Sequence, residues 1–188
     1  MKRTTLLAAL FLPLPAYAAP LILTPADPQP DPDILSPGLA VEYAYPKEVR
    51  TLADAEEALG RGKEGPPLIG LSYDDNNEGD LTLTARSAQK VAAAISGYIR
   101  FDAPGSYNVD VISNDGIALS IGGQQVALYD EVHGCEPAGA QQVSVPEAGW
   151  YELSATYFQR KGTACLMMDW DVTGQMLPVP DTAFAYVP

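Results

Sequence analysis

From Ser96 to Trp170 the chain runs in short stretches where apolar and polar residues alternate. Each stretch is closed by a turn built from Gly, Pro or Asn-Asp-Gly. Alternation with a period of two puts one set of side chains on each face of a strand. The pattern predicts strands over 98–101, 107–112, 117–121, 125–129, 142–145, 150–158 and 164–170. Upstream, 38–45, 68–73 and 81–84 alternate in the same way. One segment follows the helical period instead. In 51–59, TLADAEEAL, the residues Leu52, Ala55 and Leu59 form an apolar stripe, Thr51 is a natural N-cap, and Gly60 and Gly62 stop the helix. Residues 87–94 fit a short helix by local propensity and a strand by their place in the fold. Many short strands at regular spacing predict an all-β chain, an antiparallel β-sandwich or barrel with one short helix near residues 51–59.

The N-terminus breaks this pattern. Lys2 and Arg3 precede a short apolar run from Leu6 to Leu14, and Ala16-Tyr17-Ala18 is a small-x-small cleavage site. This reads as a secretory signal peptide over 1–18, the apolar run being too short to span a bilayer. Residues 19–37 read as a linker. Between Pro20 and Pro37 there are six prolines and three aspartates, which favours an extended tether. The domain is then expected over 38–188. Cys135 and Cys165 are the two cysteines, and in an exported chain they are expected to pair. The bridge would contribute about 3–4 kcal/mol by constraining the unfolded chain.

Charge narrows the partners. The formal net charge of −13 becomes −15 once Lys2 and Arg3 leave with the signal. Such a surface repels nucleic acid and anionic lipid, and it suits solubility or divalent cations. No second apolar run is long enough for membrane insertion of the mature chain. The expected location is therefore exported, either periplasmic or at the cell surface and beyond.

Candidate chemistry gathers at loops. Ser113-Asn114-Asp115-Gly116 sets amide and acidic oxygens between two hydrophobic runs. It reads either as a ligand-holding loop or as a type I′ hairpin turn. Asp74 to Asp80 has the composition of half a calcium loop but lacks the full ligand spacing, and reads as a solvated acidic turn. His133 is the single histidine and lies in a long loop with Cys135. Tyr129, Tyr157, Phe158 and Trp170 are aromatics able to stack on a sugar, although alternation assigns most of them to the core. There is no nucleophile elbow and no HExxH, so the chain is not expected to be an enzyme.

The ordered set Gly38-Leu39, Glu42-Tyr43, Ser96-Gly97-Tyr98-Ile99, Pro104-Gly105-Ser106-Tyr107, Ser113-Asn114-Asp115-Gly116, Leu119 to Gly123, Ala148-Gly149-Trp150-Tyr151, Tyr157 to Ala164 and Leu166 to Trp170 resembles the protective-antigen, or PA-fourteen (PA14), domain over residues 36 to 186. The chain resembles an exported single-domain member of bacterial type. The resemblance implies a β-sandwich and, commonly, carbohydrate recognition. In the adhesin branch it implies two consecutive aspartates joined by a cis peptide that bind calcium, which in turn grips sugar hydroxyls. The matching positions are Asn114 and Asp115, with Gln159 where the adhesins place an Asn. Asn114, Asp115 and Gln159 are thus the expected metal ligands, with less anionic charge than the family pattern.

Two functions are expected. The first is an exported carbohydrate- or glycan-binding, adhesion-type module, calcium-assisted if the metal binds. Its site would be Asn114, Asp115, His133, Gln159 and Arg160, stiffened by a Cys135–Cys165 bridge, and its partner a glycan or cell-surface polysaccharide. The alternative is a structural or protein-interaction domain of the cell envelope, with envelope proteins as partners and no small ligand.

Overall fold

The computed structural model describes residues 19–171 and 174–188; the expected signal peptide lies outside the described residues. In chain order the first strands are β1 (Leu21–Ile22), β2 (Ser36–Pro37), β3 (Ala40–Ala44), β4 (Lys63–Glu64) and β5 (Ser72–Tyr73). The long central strands are β6 (Val91–Phe101), β7 (Gly105–Ser113), β8 (Ile117–Ile121) and β9 (Gln124–Tyr129). There follow β10 (Glu136–Pro137), β11 (Gln141–Val145), β12 (Gly149–Gln159), β13 (Leu166–Asp171), β14 (Met176–Pro178) and β15 (Phe184–Tyr186). The helix α1 (Leu52–Leu59) lies between β3 and β4.

The strands form two sheets. One has the order β1-β11-β7-β13-β14, with β10 also on β7 and β5 also on β13. The other has the order β2-β15-β6-β12-β8-β9, with β3 on β6 and β4 on β3. All pairings are antiparallel except β1 with β11. The longest ladder joins β12 to β6 from Gly149↔Phe101 to Gln159↔Val91. Alternation explains the layering: Val91, Ala93, Ile95, Ile99 and Phe101 of β6 point inward with Tyr151, Leu153 and Tyr157 of β12, and meet Val109, Val111 and Met168 of the facing sheet. Phe101 centres an aromatic group, edge-on to Tyr107 at 5.0 Å and to Tyr151 at 5.3 Å, with Trp170 at 5.5 Å.

The helix forms as its sequence predicts. Thr51 accepts from the backbone of Asp54, and Asp54 returns the bond to Thr51, a reciprocal capping box. Leu52 and Ala55 pack on Ala44, Val49, Ala92 and Phe158, so α1 covers part of the outer face of the second sheet.

Three local expectations change. Residues 81–84 are a turn and not a strand: Thr82 is fully buried, and its backbone and hydroxyl bond Ser87 and Ala88. Strand 68–73 shrinks to β5, with Leu68 held by a single bridge to Leu39. Residues 19–37, expected as a tether, lie on the sandwich. Leu23 is 1% exposed and donates to Ser144, Ala26 donates to Trp150, and the Gln29 amide bonds the backbone of Ala26 and Trp150. Proline richness marks low helix capacity, but the short β1 ladder, the buried Leu23 and the Gln29 amide were enough to dock the segment.

Leu23→Ala should therefore cost about 2–5 kcal/mol in chemical denaturation, as for a core residue. A detached tether would give no change in the midpoint.

Candidate functional site

All the loop residues singled out in the sequence meet at one end of the sandwich, but as a structural junction. Asn114, Asp115 and Gly116 connect β7 in one sheet to β8 in the other. The segment is thus a crossover between layers, and the hairpin reading is corrected: β7 and β8 do not pair with each other. Asp115 takes the left-handed conformation, φ +59°, which Asp tolerates better than most residues. Gly116 is needed for packing, because a Cβ there would sit 2.1 Å from the Phe158 ring.

Asp115 is 1% exposed, and both of its carboxylate oxygens are engaged by backbone N–H groups. Arg160 donates to Oδ2 at 2.6 Å and His133 donates to Oδ1 at 3.2 Å. Its own N–H donates to His133 O, and Ser113 Oγ donates to its carbonyl. Asn114 donates from its side chain to Thr163 Oγ1. Gln159 is fully buried; its Nε2 donates to Lys161 O and Thr163 O, and its Oε1 accepts from Tyr157. The Cys135–Cys165 disulfide is formed and ties the 130–139 loop to the start of β13. His133 stacks on Tyr129 with ring centroids 3.7 Å apart, donates from Nδ1 to Gly134 O, and buries Nε2 without a hydrogen-bond partner among the described residues. The acidic turn joins the same end, since Asn76 Oδ1 accepts from Ala164 N.

Burial pushes the Asp115 carboxyl above its ordinary value of 3.8, opposed by the N–H bonds of Arg160 and His133. These residues do not fit a calcium site. Calcium takes six to eight oxygens, several of them anionic. Here Gln159 has no free amide atom, Asp115 is enclosed, and the Asn114–Asp115 peptide is trans, the cis peptide among the described residues being Asp27–Pro28. Among the described residues the group close enough to share an ion is Asp75 with Cys135 and Cys165, whose sulfurs are bonded to each other.

The concave feature that sequence reasoning missed lies beside this junction. A groove of about 850 Å³ opens between α1, the β3 end, β4 and residues 84–86, within the size range of small-molecule sites. Tyr43 forms its floor. The Tyr43 hydroxyl bonds Thr84 Oγ1 at 2.9 Å and accepts from Thr84 N, and burial pushes its pKa up to about 12. Tyr45, 36% exposed, forms a wall, with Arg86 over its ring at 4.4 Å. Pro46 and Pro66 stiffen the edges, and Glu48, Asp54, Glu57, Arg61, Lys63 and Glu64 supply polar rim groups. Glu48 links groove and junction: Arg160 Nε donates to it at 2.8 Å, Lys90 approaches it at 3.5 Å, and the Arg160 bond holds its carboxyl below the usual range. Arg160 thus reaches the groove wall through Glu48, while Asn114, Asp115, His133 and Gln159 do not line the groove. The Tyr43-x-Tyr45-Pro46 spacing was the visible signal, but the facing wall comes from residues 84–86, distant in sequence.

No family model and no curated protein matches the sequence. Solved structures do. The PA14 domain of the antifreeze protein MpAFP superposes with TM-score 0.69 at 16% identity, over 84% of this chain and 94% of that one. A PA14 sugar-binding domain from an RTX adhesin gives 0.65 at 16%, over 80% and 98%. The A domain of epithelial adhesin 9 from Candida glabrata, in complex with Galb1-3GlcNAc, gives 0.65 at 16%, over 90% and 97%. The chain has the PA14-domain fold; the second of these neighbours is a sugar-binding domain and the third an adhesin domain.

The junction makes a pH prediction. A carboxyl whose folded pKa is raised contributes most below its unfolded value, and that contribution is lost as pH rises through the folded one. Asp115→Asn turns an amide donor toward an N–H donor and should cost about 1–3 kcal/mol. Urea denaturation between about pH 3.5 and 7 should show the gap to wild type widest at the acid end and narrowing upward. No gap would contradict the clamp, and a gap that widens with pH would contradict the upward shift of the Asp115 carboxyl.

Proposed function

We propose that this chain is an exported glycan-binding module of adhesion type and that the α1–β3–β4 groove is its saccharide site. The observation that carries the reading is the groove itself: a pre-formed concavity with a tyrosine floor, a tyrosine wall and a rim of polar side chains, on a fold whose neighbours include sugar-binding domains. Aromatic surface and convergent polar groups are what saccharide recognition requires, because a sugar presents C–H faces and ring hydroxyls together.

In this reading Asn114, Asp115, His133 and Gln159 act at one remove. They fix the loop ends that carry Arg160, which braces Glu48. Calcium has no part in it. Export is supported by the disulfide and by the signal-like N-terminus, and no helix among the described residues is long and apolar enough to cross a membrane.

A glycan array probed with the wild-type chain and with Tyr45→Ala tests the assignment. Tyr45 is partly exposed, so its removal should shift the melting temperature by only a few degrees while weakening saccharide binding roughly tenfold or more. Saccharide binding unaffected by Tyr45→Ala would place the site elsewhere. No binding to any saccharide would favour a structural or protein-interaction domain of the envelope.

A further inference from the structure

The groove lining carries four carboxylates and three cations, and they are not paired with one another. Two of its carboxylates are committed. Glu48 is bound by Arg160 and Lys90, and Asp54 accepts the backbone N–H groups of Arg50 and Thr51 as the helix cap. The other charged side chains of the lining are Glu57, Glu64, Arg61, Lys63 and Arg86. Among the described residues none of these three cations has a carboxylate within 4.0 Å, in a chain of 24 acidic residues against 11 basic ones. An acidic surface offers ion pairs cheaply, so three unpaired cations around one concavity call for an anionic partner from outside.

Arg86 sets the form of that partner. Its guanidinium covers a face of the Tyr45 ring, so that face is closed to a stacking sugar. Stacking also immobilises the guanidinium, and its N–H fork makes no hydrogen bond to the protein among the described residues. A rigid, uncommitted fork matches the two oxygens of a carboxylate better than it matches a hydroxyl. We propose that the groove is selective for acidic saccharides, with the ligand carboxylate received by the Arg86 fork, Arg61 and Lys63 supplying further positive potential, and the ring hydroxyls meeting Glu57 and Glu64. This inference rests on the saccharide reading of the groove.

The test uses the full chain with its disulfide intact and a panel of uronate- and sialate-bearing oligosaccharides, each paired with its carboxyl-reduced form, alongside polyglutamate. Calorimetry should show the acidic member of a pair bound at least tenfold more tightly than the reduced one, with the preference weakening as salt rises. Arg86→Gln should abolish the preference, and Arg86→Lys, which keeps charge but loses the fork, should retain part of it; unfolding midpoints check that both variants are folded. Equal binding of both members, lost in Tyr45→Ala, would overturn the acidic preference and leave the saccharide reading standing. Binding of neither member would overturn both. Tighter binding of polyglutamate than of any saccharide would overturn the proposal in favour of an acidic peptide ligand.

Discussion

One buried carboxylate organises the end of the sandwich where the chain crosses between its sheets. Asp115 lies where the chain passes from one sheet to the other, and its two oxygens accept N–H groups from Arg160 and His133, on two different loops. A bond between crossover and loops fixes the layers against each other more firmly than a turn could alone. The 130–139 loop is then held along its length: Asp130 accepts from Leu52 at the start of α1, His133 bonds Asp115, Cys135 is bridged to Cys165, and β10 pairs with β7. The helix that walls the groove is therefore positioned from the same junction, and so is Glu48 through Arg160. Loosening Asp115 would loosen the groove although no atom of Asp115 lines it.

The electrostatics of this arrangement are self-contained. A carboxylate taken out of water is costly unless it is hydrogen-bonded, and here it is bonded by the backbone. Backbone donors are fixed by the fold, so the cost of ordering them is already met by the surrounding strands and the disulfide. Joining loops through a carboxylate and N–H groups turns both Asp115 oxygens inward, and the proposed place of recognition is the neighbouring groove. The groove differs from the junction in the property that matters for a ligand: its cations and its Tyr45 ring are reachable, whereas the junction is closed.

Much of the frame was legible from residue patterns. Thr51 and the Leu52, Ala55, Leu59 stripe gave the helix, and alternation gave β7, β8, β11, β12 and β13 nearly to their ends, because each relies on a local period. The two cysteines paired as their count required. What failed depended on distant partners. Asn-Asp-Gly is a turn signal, but whether the strands on either side pair or part is decided by β11, β12 and β13, all later in the chain. Thr82 alternates like a strand residue, yet its hydrogen bonds to Ser87 and Ala88 fold it into a loop. The Pro-rich segment was docked by Leu23 and Gln29, whose partners are more than a hundred residues away. The groove was invisible for the same reason, since Tyr45 and Arg86 meet only once β3 and β6 are paired.

The central claim is that the crossover is clamped by the protein's own carboxylate and needs no ion. Thermal unfolding of the full chain, disulfide intact, in excess EDTA and then in millimolar calcium tests it most directly, since a ligand that binds only the folded state raises the melting temperature. The account predicts superimposable transitions. A rise of several degrees with calcium, abolished in Asp115→Ala, would contradict it.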